Sequence, residues 1–136
     1  MRILVTGSRD WTDGDAIESA MWHAWTDAGS PPINSVTLVH GCARGADTIA
    51  ASIARKIGMK VDEHPAAWDT RGRAAGVIRN SEMVNAGADV CLAFIRNRSR
   101  GATHCANAAE RAGIETRRFT TPPTDAAEAA GGADHD

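Results

Sequence analysis

The sequence predicts an α/β fold: three layers around a mostly parallel, five-stranded sheet. Three observations predict it. Five short β-rich runs alternate strictly with helix-period segments, the signature of a parallel sheet covered by helices. The run Val90–Ile95 is continuously apolar, as a parallel strand buried on both faces must be. Glycine, serine, histidine and arginine gather just after the strand-like runs, where open parallel sheets hold ligands. The chain has 136 residues, 43% of them hydrophobic and 24% charged, which fits one globular domain.

The elements read in order as follows. Arg2–Thr6 is the first strand and ends at Gly7-Ser8-Arg9. Residues 13–28 carry Ile17, Ala20, Met21, Ala24 and Ala28 at helical period, with Asp13 or Thr12 as N-cap. Gly29-Ser30-Pro31-Pro32 breaks that helix. Ser35–His40 is the second strand. Residues 46–57 form a helix with Ile49, Ala50, Ile53, Ala54 and Ile57 inward, stopped by Gly58. Lys60–Glu63 is the third strand, followed by His64-Pro65 and a polar loop over Trp68–Arg73. Residues 74–86 are a third helix, Val90–Ile95 the fourth strand and 102–112 a fourth helix stopped by Gly113. Glu115–Phe119 is a polar, edge-type fifth strand. The domain is expected over 1–120. Residues 121–136, rich in Ala, Gly, Pro and acid, are expected to be a disordered tail.

The net charge of -2 argues against a dedicated nucleic-acid or basic membrane-surface protein. It is a sum over two unlike pieces. Four of the 17 acids (Asp125, Glu128, Asp134, Asp136) lie in the tail, so residues 1–120 are mildly basic. Only Lys56 and Lys60 of the 15 basic residues are lysines. A GC-rich coding sequence accounts for arginine over lysine in general; it does not explain why Arg9, Arg44 and Arg100 stand beside turn glycines. Cys42, Cys91 and Cys105 form no C-x-x-C pair, and no His/Cys/Asp group has metal-ligand spacing, so neither a disulfide scaffold nor a metal is expected. With no signal peptide or membrane span evident, the cytoplasm is the expected compartment.

Four segments carry the candidate chemistry. Gly7, Ser8 and Arg9 offer a tight turn, a hydroxyl and a guanidinium to an anion, though an ordinary strand-to-helix turn would look the same. His40, Gly41, Arg44, Gly45, Ala46 and Asp47 bracket a turn into a helix N-terminus, whose exposed N–H groups and positive dipole suit phosphate. Asp47 would accept hydrogen bonds from a ribose there, or simply cap the helix. The spacing is neither G-x-G-x-x-G nor G-x-x-x-x-G-K-[ST], so standard dinucleotide and P-loop readings fail. Ser99, Arg100, Gly101 and Thr103 open the fourth helix in the same manner, with Arg96 and Arg98 alongside. Arg79 and Met83 share a face of the third helix, and Asn80 adjoins them. His40 and His64 both end strands and could meet across the sheet, but each is more often a structural histidine. Ser8 has no assignable His–Asp partners, so a hydrolase triad is unsupported.

At these motifs the chain resembles the SLOG superfamily, a Rossmann-like group uniting the DNA-processing protein A core with the Lonely-guy cytokinin-activating enzymes. It looks most like the small stand-alone YspA/YpsA-related members. The matching stretches are Arg2-Ile-Leu-Val-Thr-Gly-Ser-Arg-Asp-Trp11, His40-Gly-Cys-Ala-Arg-Gly-Ala-Asp47, Arg79-Asn80 with Met83, and Ser99-Arg-Gly-Ala-Thr103. The resemblance implies a nucleotide-derived ligand held by the loops after the first, second and fourth strands. It also implies a homodimer, for which the helix carrying Trp22 and Trp25 is the suspected face. The family's phosphoribohydrolases carry P-G-G-x-G-T-x-x-E; with its Thr on Thr103, Ala106 falls where the catalytic Glu belongs. Arg79 matches the family's catalytic arginine in its R-x-x-x-M context.

An alanine supplies neither charge stabilisation nor a proton to a breaking glycosidic bond. The first expectation is therefore a binding module that senses, carries or sequesters a nucleotide-derived molecule, with no further cofactor. A phosphoribohydrolase using another carboxylate is the alternative, with Asp47 and Arg79 as candidate catalytic groups. Single-stranded nucleic-acid binding ranks last, because a chain with no Tyr and two Phe has few stacking surfaces.

Overall fold

In a computed structural model of the protein the described residues are 1–120; the tail over 121–136, and the disorder expected of it, lie outside them. Strands β1 (Arg2–Gly7), β2 (Thr37–His40), β3 (Lys60–Glu63), β4 (Val90–Ile95) and β5 (Glu115–Thr120) form one sheet in the order β3-β2-β1-β4-β5. Every pairing is parallel. Helices α1 (Gly14–Asp27), α2 (Ala46–Ile57), α3 (Trp68–Arg71), α4 (Ala75–Ala86) and α5 (Arg100–Arg111) connect them. The chain steps outward from β1 to β2 and β3, then crosses back to β4 and β5, so the strand order reverses between β1 and β4.

Alternation along the inner strands builds two cores, because successive side chains point to opposite faces. Ile3, Val5, Leu38, Leu92 and Phe94 pack with Ile17, Met21 and Ala50 of α1 and α2. Leu4, Val39 and Cys91 pack with Met83, Val84, Cys105 and Ala109 of α4 and α5. Helices thus cover both faces, giving the expected three-layer, Rossmann-like fold. Each fully buried aliphatic or aromatic side chain contributes about 1.5–3 kcal/mol through its burial. Trp11 meets Phe94 edge-on with centroids 5.4 Å apart, and Phe119 of the edge strand stacks on Phe94 at 5.1 Å.

The details sharpen several expectations. Asp13 is the N-cap of α1; its carboxylate accepts from the Ala16 N–H. On α2 the alanines (Ala46, Ala50, Ala51, Ala54) are buried, while Ile49, Ile53 and Ile57 pack at the margin. Small side chains let the helix approach the sheet closely. The segment Trp68–Arg73, expected as a polar loop, folds instead into α3 and a 3-10 turn over Gly72–Ala74. One helical turn is too short to show an apolar period. Trp22 and Trp25 are half-buried and meet edge-on at 5.1 Å. Trp25 donates its indole N–H to the Pro31 carbonyl and packs against the core, so much of its surface is already used. Among the described residues no helix is long and apolar enough to cross a membrane.

Candidate functional site

A cleft of about 880 Å³ opens where the strand order reverses. Its walls are the loops after β1 and β4, the start of α5, the face of α4 bearing Arg79, Asn80 and Met83, Ala43 from the β2–α2 connection and Asp47 from the first turn of α2. Loops at the carboxyl ends of adjacent strands diverge at such a reversal, and the gap between them is the site.

Backbone interlocking sets its shape. The Ser8 N–H donates to the Phe94 carbonyl at 2.8 Å. The buried Ser8 hydroxyl accepts from the Arg96 N–H at 2.7 Å and donates to the Arg96 carbonyl at 3.0 Å. This staple ties the end of β1 to the end of β4. The Ser8 carbonyl accepts from the Ala46 N–H at 3.3 Å, locking α2 to the same loop. The contact is so close that only glycine fits. A Cβ on Gly7 would strike the Ala46 side chain, and one on Gly45 would strike the Ser8 and Arg9 carbonyls. Gly45 also sits at φ +74, a region that L side chains rarely adopt.

Asp47 is 4% exposed and lines the cleft from the first turn of α2. Its Oδ2 accepts from the Gly41 N–H at 2.9 Å and the Ala43 N–H at 3.3 Å. Its Oδ1 is buried with no hydrogen-bond partner among the described residues. Burial pushes the carboxyl up to about 6, against the two N–H donors and the Arg79 guanidinium, which draw it down.

Arg79 reaches across from α4, donating through Nη1 to the Gly41 carbonyl and through Nε to Asn80 Oδ1 at 2.8 Å. Asn80 is itself buried and donates from Nδ2 to the Gly101 carbonyl at 3.4 Å, so it couples Arg79 to the start of α5. On the opposite wall Ser99 caps α5, accepting from the Ala102 N–H at 3.5 Å. The β4–α5 loop turns through two non-glycine residues in the left-handed region, Asn97 and Arg98, both at φ +53. Asn97 Nδ2 donates to Asp10 Oδ2 at 2.9 Å. Five arginines (9, 79, 96, 98 and 100) line the cleft against two aspartates (10 and 47), so its field is positive.

Of the residues the sequence nominates, Gly7, Ser8, Arg9, Asp47, Arg79, Asn80, Ser99, Arg100 and Gly101 line this cleft. Six do not. His40 is buried at the end of β2, and Gly41 serves Arg79 through its carbonyl. Gly45 and Ala46 form the joint with Ser8. Arg44 is exposed outside the cleft, because the turn before α2 carries it away. Thr103 lies one turn into α5, its N–H donating to the Ser99 carbonyl at 3.1 Å. Sequence reasoning missed Asp10 and Asn97; an Asn just past a buried strand, tolerant of positive φ, is the signal that marks the turn.

Residues 1–70 match the model of the YspA, cpYpsA-related SLOG family. The chain belongs to that family. It is also 45% identical over 127 residues to the Gene 61 protein of Mycobacterium phage D29, covering 90% of this chain and 98% of that protein. No solved structure matches significantly. Within this SLOG frame, Ala106 is fully buried on the inner face of α5 and does not line the cleft. Asp47 is the buried carboxylate the cleft does hold.

Proposed function

We propose that the cleft binds a nucleotide or nucleotide-derived small molecule, which the protein senses, carries or sequesters. The observation that carries this reading is the buried, unpartnered Oδ1 of Asp47 beside Arg79 in a cleft lined by five arginines. Such an oxygen needs a donor, and a ribose hydroxyl is one. Arginine forks and the first N–H groups of α5 suit a phosphate on the other side. In this reading residues 1–120 are the binding domain, at work in the cytoplasm, where thiols such as the three here stay reduced. A homodimer is the assembly that resemblance to the family favours.

A thermal-shift screen with nucleoside monophosphates, cyclic nucleotides, ADP-ribose and NAD tests the reading. Stabilisation by at least one of them, lost in Arg79→Ala, is the expected result. No shift with any of them, in a folded wild type, contradicts it.

One observation favours a second reading, a nucleoside-monophosphate phosphoribohydrolase. A carboxyl pushed up to about 6 exchanges protons near neutral pH, as a general acid–base group must. Free base released from AMP, and lost in Asp47→Asn, would establish it. Intact AMP after prolonged incubation would leave the binding reading standing alone.

A further inference from the structure

The parallel pairing of β2 with β3 places His40 opposite Glu63. Residues so paired share a face of the sheet. Two residues beyond His40 the chain turns sharply at Cys42, whose φ is +63, and the thiol comes back over the same spot. One ligand atom each from His40, Cys42 and Glu63 then lie within 4.8 Å of one another. His40 Nε2 and Glu63 Oε2 are 3.7 Å apart. Bonds of about 2.0–2.3 Å to a tetrahedral ion set N, O and S ligands roughly 3.3–3.6 Å apart, so a modest contraction closes the site.

A second observation is independent of this spacing. His40 is 3% exposed, and its Nε2 is buried with no hydrogen-bond partner among the described residues. That nitrogen faces the gap before the Glu63 carboxylate. We propose that His40, Cys42 and Glu63 form a three-ligand site for a borderline-soft divalent cation such as Zn²⁺, with its fourth position open. A mixed N, S and O set suits zinc and disfavours magnesium and calcium, which take oxygen. Linear spacing hides such a site, since Glu63 comes from a neighbouring strand.

Loading requires a proton balance. In the metal-free protein His40 Nδ1 accepts from the Cys42 N–H at 3.0 Å, so the ring proton sits on Nε2. Binding moves it to Nδ1, releases the thiol proton to solvent, and obliges the Cys42 peptide to rotate its N–H away. Glu63, half exposed, leaves Arg55, to which it is now paired at 2.7 Å. Gly41 lies between two of the ligands and holds Arg79 through its carbonyl. The ion therefore clamps the loop that positions the arginine of the cleft, whatever the cleft binds.

Titration of the metal-stripped full chain with Co²⁺ is the test. One equivalent should produce a thiolate-to-cobalt charge-transfer band, abolished by excess Zn²⁺. Cys42→Ser should abolish the band, while Cys91→Ser should leave it, because Cys91 lies in the core across the sheet. Zn²⁺ should raise the melting temperature of wild type and not of Cys42→Ser, whose metal-free circular dichroism reports its folding. If Cys42→Ser does not fold, Glu63→Gln replaces it, with an expected loss of at least about tenfold in Co²⁺ affinity. No charge-transfer band, a band surviving Cys42→Ser, or unchanged affinity in Glu63→Gln overturns the proposal.

Discussion

Helices α2 and α5 begin alike in sequence, with Arg-Gly-Ala at 44–46 and again at 100–102, each just past an inner strand, yet their N-termini do opposite things. At α2 the chain fills its own anion site. The Ala46 N–H goes to the Ser8 carbonyl, and the Asp47 carboxylate gathers the Gly41 and Ala43 N–H groups. At α5 there is no acid in the first turn; Ser99 caps one N–H and the end faces the cleft among arginines. A helix start that carries its own buried carboxylate is closed to an anion, although Asp47 Oδ1 still offers itself to a donor. One that carries only a hydroxyl cap is open to a guest.

The two glycines give the sharpest contrast. Gly45→Ala should cost about 4 kcal/mol or prevent folding, since the conformation is unfavourable and its Cβ meets backbone. Gly101→Ala, with open space at its Cβ, should stay within about 1 kcal/mol of wild type. Chemical denaturation of both variants measures the difference.

Asp47 marks the joint through pH. Its folded carboxyl is raised from 3.8 to about 6, so the folded state holds the proton more tightly than the unfolded state. Stability from this group is full below about 4 and is lost as pH rises through about 6. Asp47→Asn cannot titrate. Relative to that variant, wild type should lose roughly 3 kcal/mol across the window, read from denaturation midpoints on either side of it. A parallel pair of pH profiles would show that Asp47 is not perturbed.

Ser8→Ala removes the staple, and with it the hydroxyl that accepts from the Arg96 N–H and donates to the Arg96 carbonyl. The expected cost is about 2 kcal/mol. Hydrogen exchange should rise at Arg96 with little change at α2's far end.

The fold was legible because its signals are local and repeated: five β-rich runs, apolar periods between them, and the unbroken Val90–Ile95. Strand order and α3 were not. Order depends on crossovers that leave no periodic trace, and α3 is a single turn. Within the site, glycines flagged the right loops but could not say which side of a turn faces the cleft. Arg44 and Arg100 both stand next to a glycine; only the course of the backbone separates them. His40 and His64 each end as neighbours of acids, Glu63 and Asp62, because register pairs His40 with Glu63 and the chain carries His64 beside Asp62.

That separation is also the most direct test. Isothermal calorimetry with AMP should give affinities for Arg100→Ala about fivefold weaker than wild type, and for Arg44→Ala unchanged. Loss of binding in Arg44→Ala with none in Arg100→Ala would place the anion at α2 and contradict the account.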